Sequence, residues 1–398
     1  MKLKGFEVRY SYYLYIAGLI LMFCNLGPGS FAATFSDDFY ISRDFTKEGI
    51  FTGGCEGPAV DSHGNLYAVN LTKDGTIAIV DIAGNAQIYA TLPAGSIGNG
   101  IRFDRFDNMY IADYARHNIF IIPSGKTKPE LYVHQALFNQ PNDLAIMSNG
   151  ILFASDPNWA ANTGKLWRIG TDKIAILLDE NMGTTNGLEV SSDEKHLYVN
   201  ESGQLKIWKF DLNEKGEISN KTLFASSGDF GLDGMRCDVD GNLYVTKYGK
   251  GVVGIFSPDG TLLREVLLKG KEVSNIAFGG IDGRSCFVTM ADRKMIETFR
   301  TETPGREWNL SHPTSSAVTI SPDDKLKIFP NPTNSKLTLS NLNLDSNVRI
   351  TDISGNLLLR FKSNSSEKIL DVSNWINGFY IVSIQSKTKF EVRKVLKN

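Results

Sequence analysis

The sequence predicts an all-β protein: a six-bladed β-propeller followed by a small antiparallel β-sandwich. Three observations carry that prediction. A strand-turn-strand segment returns six times along the chain. The apolar runs between its copies are short and rich in β-branched and aromatic residues. No long amphipathic helical pattern interrupts them, which removes folds built from alternating strands and helices. At 398 residues the chain is long for a single core. With 42% hydrophobic and 22% charged residues it has the makeup of a folded globular protein, not of a disordered or multi-pass membrane chain.

Residues 1–32 read as a secretory signal peptide. A basic start (Lys2, Lys4, Arg9) precedes an apolar run from Tyr13 to Phe23, and Ser30-Phe31-Ala32 places small residues where a signal peptidase reads. The run is shorter than the roughly 20 residues that a membrane span requires, so no span is expected in the mature chain. Bulky Phe23 before Cys24 does not suit a lipoprotein cysteine. Cleavage would leave Cys55, Cys237 and Cys286, an odd set that cannot complete a disulfide framework and is expected as buried free thiols.

The propeller is expected over residues 33–308. Its copies are 57–70 (GPAVDSHGNLYAVN), 100–113 (GIRFDRFDNMYIAD), 143–156 (DLAIMSNGILFASD), 187–200 (GLEVSSDEKHLYVN), 234–247 (GMRCDVDGNLYVTK) and, more loosely, 276–289 (IAFGGIDGRSCFVT). Their starts lie 43, 43, 44, 47 and 42 residues apart. Each reads as a hairpin, and later runs such as 77–82 (IAIVDI) and 118–122 (NIFII) supply further strands. Four strands in a repeat of about 40 to 50 residues is the signature of a propeller blade.

The residue before each copy is Glu56, Asn99, Asn142, Asn186, Asp233 or Asn275, a carboxylate or carboxamide every time. Asn or Asp before Gly also shapes turns. Six in register, with Glu56 among them, point instead to a ring of side-chain oxygens facing one another across the channel mouth. Two carboxylates would balance a divalent charge, and Ca²⁺ takes such hard oxygen ligands. A cation there can polarise a carbonyl and acidify water, so hydrolysis is the expected chemistry.

Glu56-Gly57-Pro58, Pro141-Asn142-Asp143, Asn186-Gly187-Leu188, Asp233-Gly234-Met235, Ala277-Phe278-Gly279-Gly280 and Pro304-Gly305-Arg306 together resemble the senescence marker protein, gluconolactonase and luciferin-regenerating enzyme superfamily of six-bladed propellers. The resemblance covers about residues 50 to 308. It implies a lactone or related ester as substrate and a divalent cation, most commonly calcium, held by Glu56, Asn142, Asn186 and Asp233. It also implies Asp233 as general base, assisted by Asp143, with Asn99 and Asn275 beside the ligands or facing substrate. Sugar lactonases of the superfamily carry an Arg two residues before the third-blade Asn; Gln140 stands there here, a departure that bears on the choice of lactone. Trp159, after Asp156-Pro157, is a further candidate substrate wall.

Other signals carry less. His63, His117, His134, His196 and His312 show no paired ligand spacing, although His117 or His134 could line the pocket. Gly249, Gly251 and Gly254 fit G-x-G-x-x-G but lead into a strand, which reads as a tight turn and not a dinucleotide site. No G-x-S-x-G elbow is present.

Residues 309–322 are rich in Ser, Thr and Pro and read as a linker. Residues 323–398 alternate apolar residues with turn clusters, as a β-sandwich of six or seven strands would. Pro330-Asn331-Pro332, Asp352-Ile353-Ser354-Gly355, Asp371-Val372-Ser373, Gly378-Phe379-Tyr380-Ile381-Val382 and Lys394-Val395-Leu396-Lys397 resemble the C-terminal sorting domain of the Por, or type IX, secretion system. That resemblance implies the secretion machinery as partner and a route through periplasm and outer membrane to the cell surface or medium. Charge agrees: residues 33–322 hold 27 Lys+Arg against 36 Asp+Glu, whereas 323–398 hold 12 against 7. So acidic a body is unsuited to nucleic acid. The competing expectation is a non-catalytic, metal-containing propeller that binds a glycan or protein at the cell surface.

Overall fold

A computed structural model describes residues 39–280, 282–311, 326–352, 357–385 and 390–398. The expected signal peptide, Cys24 and His312 lie outside the described residues, as does nearly all of the expected linker.

Each repeat begins with a hairpin whose tip is fixed by its own side chains. The Asp61 carboxylate accepts the Asn65 backbone N–H at 2.9 Å, the Asn65 side-chain amide at 2.8 Å and the Tyr67 hydroxyl at 3.2 Å. Asp104 with Asn108 and Tyr110, and Asp238 with Asn242 and Tyr244, repeat the arrangement. An Asp that satisfies the residue four further on closes the turn, and the Tyr six further on covers it.

The hairpins extend into six four-stranded antiparallel sheets. Five are built from consecutive strands, the first from Phe51–Val60, Leu66–Leu71, Thr76–Val80 and Ala86–Thr91. The sixth comprises Val273–Gly279, Ser285–Met290 and Met295–Arg300 and takes its outer strand from the other end of the domain: Arg43 pairs with Thr298 and Asp44 with Glu297. This pairing ties the start of the described chain to the last sheet. A strand of two residues has no periodicity to read, so the sequence gives no sign of it.

The inner strands are Phe51–Val60, Gly98–Phe103, Leu144–Ile146, Thr185–Val190, Gly231–Cys237 and Val273–Gly279. Each packs against the next, and the last packs against the first. Every neighbouring pair of sheets shares an apolar core. Ile77, Ile101, Ile111 and Phe120 fill one, and Val253, Ile276, Val288 and Met295 fill another. Burial on both faces explains why second and third strands such as Leu66–Leu71, Thr76–Val80, Met109–Asp113 and Asn118–Ile122 read as largely apolar runs. Cys55, Cys237 and Cys286 lie in such cores as buried free thiols. A short helix, Arg306–Ser311, follows the last sheet.

The C-terminal region has two antiparallel sheets. One is formed by Lys327–Phe329, Lys336–Ser340 and Glu367–Asp371, the other by Leu357–Lys362, Asn347–Asp352, Gly378–Gln385 and Phe390–Lys397. Leu337, Leu339, Val348, Ile350, Val382 and Val395 meet in their common core. Spacing by two along each strand puts these residues on one face.

Candidate functional site

The ring residues occupy an irregularity in the inner strands. Glu56 pairs with Val69 and Ala59 with Tyr67, so three steps on one strand oppose two on its neighbour. The same extra residue falls between Gly98 and Ile101, between Thr185 and Leu188, and between Leu232 and Met235, on the stretches that hold Asn99, Asn186 and Asp233. A bulge of this kind bends the strand and re-aims one side chain. The Gly beside the ring residue has a packing cause: a Cβ at Gly187 would fall on the Asp233 carbonyl, and one at Gly234 on the Asn275 side chain. The recurring Asn-Gly and Asp-Gly pairs therefore let neighbouring sheets approach closely at the channel.

Glu56, Asn99, Asn142, Asn186 and Asp233 line one cavity of about 520 Å³. Tyr114, Trp159 and Tyr248 supply aromatic surface, and Asp74 a third carboxylate. Trp159 and Tyr248 remain 37% and 38% exposed, so their rings are available to a ligand entering the mouth. Asn275 is buried behind the ring, where its amide donates to Glu56 Oε2 at 3.0 Å. Gln140 and Asp143 do not line the cavity. The Gln140 backbone N–H is bound to Asp156 Oδ1 at 2.6 Å, and buried Asp143 meets Arg102 Nη1 at 3.1 Å. His117 and His134 also stay outside it, bonded to the Phe138 carbonyl and to Asn118 Oδ1.

The ring is electrostatically incomplete. Burial, and then the Asp143 charge, push the Glu56 carboxyl up to about 7, against the pull of the Gly57 N–H. Burial followed by the Glu56 and Asp143 charges drives Asp233 well above the usual carboxylate range. The side-chain oxygens of Asn99 and Asn186 are buried without a hydrogen-bond partner. Unpaired buried oxygens and mutually repelling carboxylates are costly unless a cation compensates them. Among the described residues no three His, Cys, Asp or Glu side chains come together as a metal cluster, so a cation held here would rest on two carboxylates and amide oxygens. That donor set suits a hard divalent ion.

Tyr114 and Asp74 give no signal in the sequence because they stand outside the repeated segments and reach the cavity only through the fold. Tyr248 reads from the sequence as blade packing, and the structure corrects this by placing its ring, 38% exposed, at the cavity. A signal for Arg102, Glu189 and Arg236 did exist: a charged residue three places after a ring position, where other repeats have Ala59 or Ala145.

Six sheets whose inner strands surround a polar cavity define a propeller-type protein. The chain belongs to the SMP-30/Gluconolactonase/LRE-like family, which it matches over residues 54–292, and residues 327–398 form a secretion system C-terminal sorting domain. It is 26% identical to a gluconolactonase of Zymomonas mobilis over 289 residues, 63% of this chain and 79% of that one. It is 25% identical to a diisopropyl-fluorophosphatase of Loligo vulgaris over 296 residues, 66% of this chain and 94% of that one. Among solved structures, a Xanthomonas campestris gluconolactonase superposes with a TM-score of 0.57 at 22% identity, over 66% of this chain and 89% of that one. A luciferin-regenerating enzyme gives 0.58 at 20%, over 67% and 97%. These two likenesses concern the fold. Among the described residues no helix is long and apolar enough to cross a membrane.

Proposed function

We propose that this chain is an exported, divalent-cation-dependent hydrolase of a lactone or related ester, built as a six-bladed propeller over residues 33–308. The observation that carries the reading is the ring: two partly buried carboxylates and partnerless amide oxygens lining a single cavity in a chain of this family. Glu56, Asn142, Asn186 and Asp233 would hold the cation, with calcium the best match to an all-oxygen donor set. When bound, such an ion polarises a carbonyl and lowers the pKa of water.

The remaining work falls to the chain's own groups. Asp233 accepts a hydrogen bond from the Asn186 side chain, which fixes its carboxylate at the cavity wall, where it can take the proton of an attacking water. Trp159, with Tyr114 and Tyr248, offers a flat apolar face against which a ring or chain of the substrate can lie. Asn99 is a second polar contact at the same wall. Gln140 and Asn275, expected to face substrate, act from behind the wall, Asn275 by holding Glu56. Asp143 is in the same position: its carboxylate is engaged by Arg102, so its assistance would be electrostatic.

The test is hydrolysis of a panel of aldonolactones, acyl lactones and aryl esters by the full chain with calcium and with chelator. Turnover that depends on calcium supports the reading; equal rates in chelator contradict it.

The sorting domain supports passage through the periplasm and outer membrane by the type IX route. Truncation after Ser321 should leave cation binding intact and hold the protein in the periplasm. Normal arrival of the truncated protein at the cell surface or in the medium would refute that role.

A further inference from the structure

Past the ring, the inner strands build a second layer across the channel. Ala59, Arg102, Ala145, Glu189, Arg236 and Ala277 each pair with an aromatic residue of the next strand, and all are essentially fully buried. Five of them lie three residues past the ring position and Ala277 only two, because in the sixth strand the register shift falls before Asn275 and not after it. Three small Ala side chains leave the space that two Arg and one Glu occupy. The closing helix Arg306–Ser311 completes the layer with Arg306 and Glu307. Including Asp143, the layer holds three Arg and three carboxylates.

Glu307 lies at the junction of two chains of contacts. Its Oε1 is 3.0 Å from Arg102 Nε, and Arg102 Nη1 is 3.1 Å from Asp143 Oδ1. Its Oε2 is 3.5 Å from Arg236 Nε; Arg236 Nη1 donates to Asn275 Oδ1 at 3.4 Å, and Asn275 donates to Glu56 Oε2 at 3.0 Å. One carboxylate on the closing helix thus reaches Glu56 through one guanidinium and Asp143 through the other. Arg306 anchors the helix separately, through Glu194 at 2.6 Å and the Ile146 carbonyl at 3.2 Å.

We propose that Glu307 is a positioning residue for the cation ring, coupling the closing helix to Glu56 and Asp143 through Arg236 and Arg102. The inference rests on the proposal that the ring holds a cation, but not on any hydrolytic activity. Glu307 neutralises two guanidinium groups, and without it a net positive layer faces the ring and opposes the ion. Coupling is reciprocal, so an ion in the ring must also steady the helix.

Calorimetric titration of the full chain with calcium tests this. Glu307→Gln keeps the shape and removes the charge, and should weaken calcium binding on the order of tenfold. Glu194→Gln, which loosens the helix anchor outside both contact chains, should leave the dissociation constant within about twofold even if the melting temperature falls. Equal affinity of Glu307→Gln and the unaltered chain would overturn the inference while leaving the ring assignment standing. No binding by either protein would overturn both. Should Glu307→Gln fail to fold, amide exchange in the unaltered chain decides: calcium should slow exchange across residues 306–311, and unchanged exchange there in the presence of bound calcium would contradict the coupling.

Discussion

The two layers of the channel contrast sharply. The ring and the layer past it lie on the same six inner strands, yet the ring is open, with no guanidinium in contact with either of its carboxylates, whereas the deeper layer has one beside each. In the deeper layer every carboxylate has a guanidinium partner: Asp143 with Arg102, Glu189 with Arg306, Glu307 with both Arg102 and Arg236. Burial would raise Glu307, but Arg236, Arg102 and Arg306 outweigh it and hold that carboxyl below its usual range. Glu189 of the same layer goes the other way, pushed up to about 7 by burial and then by the Glu307 charge. In the ring, Glu56 and Asp233 have no guanidinium in contact, and both are raised. The deeper layer therefore pairs its charges within the protein, while the ring leaves its two carboxylates without a cationic partner.

Substitutions should separate these roles. The largest effect is expected for Asp233→Asn. Asn keeps an oxygen donor but takes no proton at neutral pH, so hydrolysis in calcium should fall by about 100- to 10,000-fold while some cation binding survives. Steady-state rates at saturating calcium measure it, and full turnover would remove Asp233 as base.

Arg236→Met strikes the deeper layer. It strips Glu307 of one of its partners inside the protein and should cost about 3 to 5 kcal/mol of stability, read from denaturant unfolding in chelator. A loss near zero would mean that the layer is not held by its charges.

The open ring should show in the pH dependence of stability. Since the folded-state value of Glu56 lies above its unfolded value of 4.5, its contribution is fully present below 4.5 and is lost as pH rises through about 7. Glu189, also pushed up to about 7, acts in the same direction, so chelated protein should melt at a lower temperature at pH 8 than at pH 5, and calcium should reverse the part of the loss that belongs to the ring. A chelated protein equally stable at both values would contradict the picture of an uncompensated ring.

Trp159→Ala carries the smallest expected change. Losing one stacking face should raise KM for an aryl ester by about three- to tenfold with kcat little altered. An unchanged KM would place the substrate elsewhere in the cavity.

How far the residues themselves announced this arrangement differs between the layers too. The six hairpins were readable because each sets a polar turn between two short apolar strands, with Asp, Asn and Tyr at fixed offsets in three of them, and the ring because its oxygen-bearing residue always precedes the same segment. The closing strand Arg43–Asp44 was not, since two residues carry no period. Nor was the deeper layer assembled in advance: Arg102, Glu189 and Arg236 stood in the repeats as isolated charges, and only the fold brings Arg306 and Glu307 to them. Of the aromatic wall, Trp159 was legible after Asp156-Pro157, Tyr248 reads as packing because a strand-end aromatic carries no sign of which way it faces, and Tyr114 stands just past a strand, outside the repeated segments.

The proposed hydrolysis and the role of Glu307 both require that the ring hold one divalent ion. Calcium titration of the full chain by calorimetry, beside Glu56→Ala and Asp233→Ala, addresses this without any substrate. The expected result is one site per chain in the unaltered protein and a loss of affinity of at least about 100-fold in each variant, because either change removes half of the ring's negative charge. Undiminished binding in both variants would contradict it.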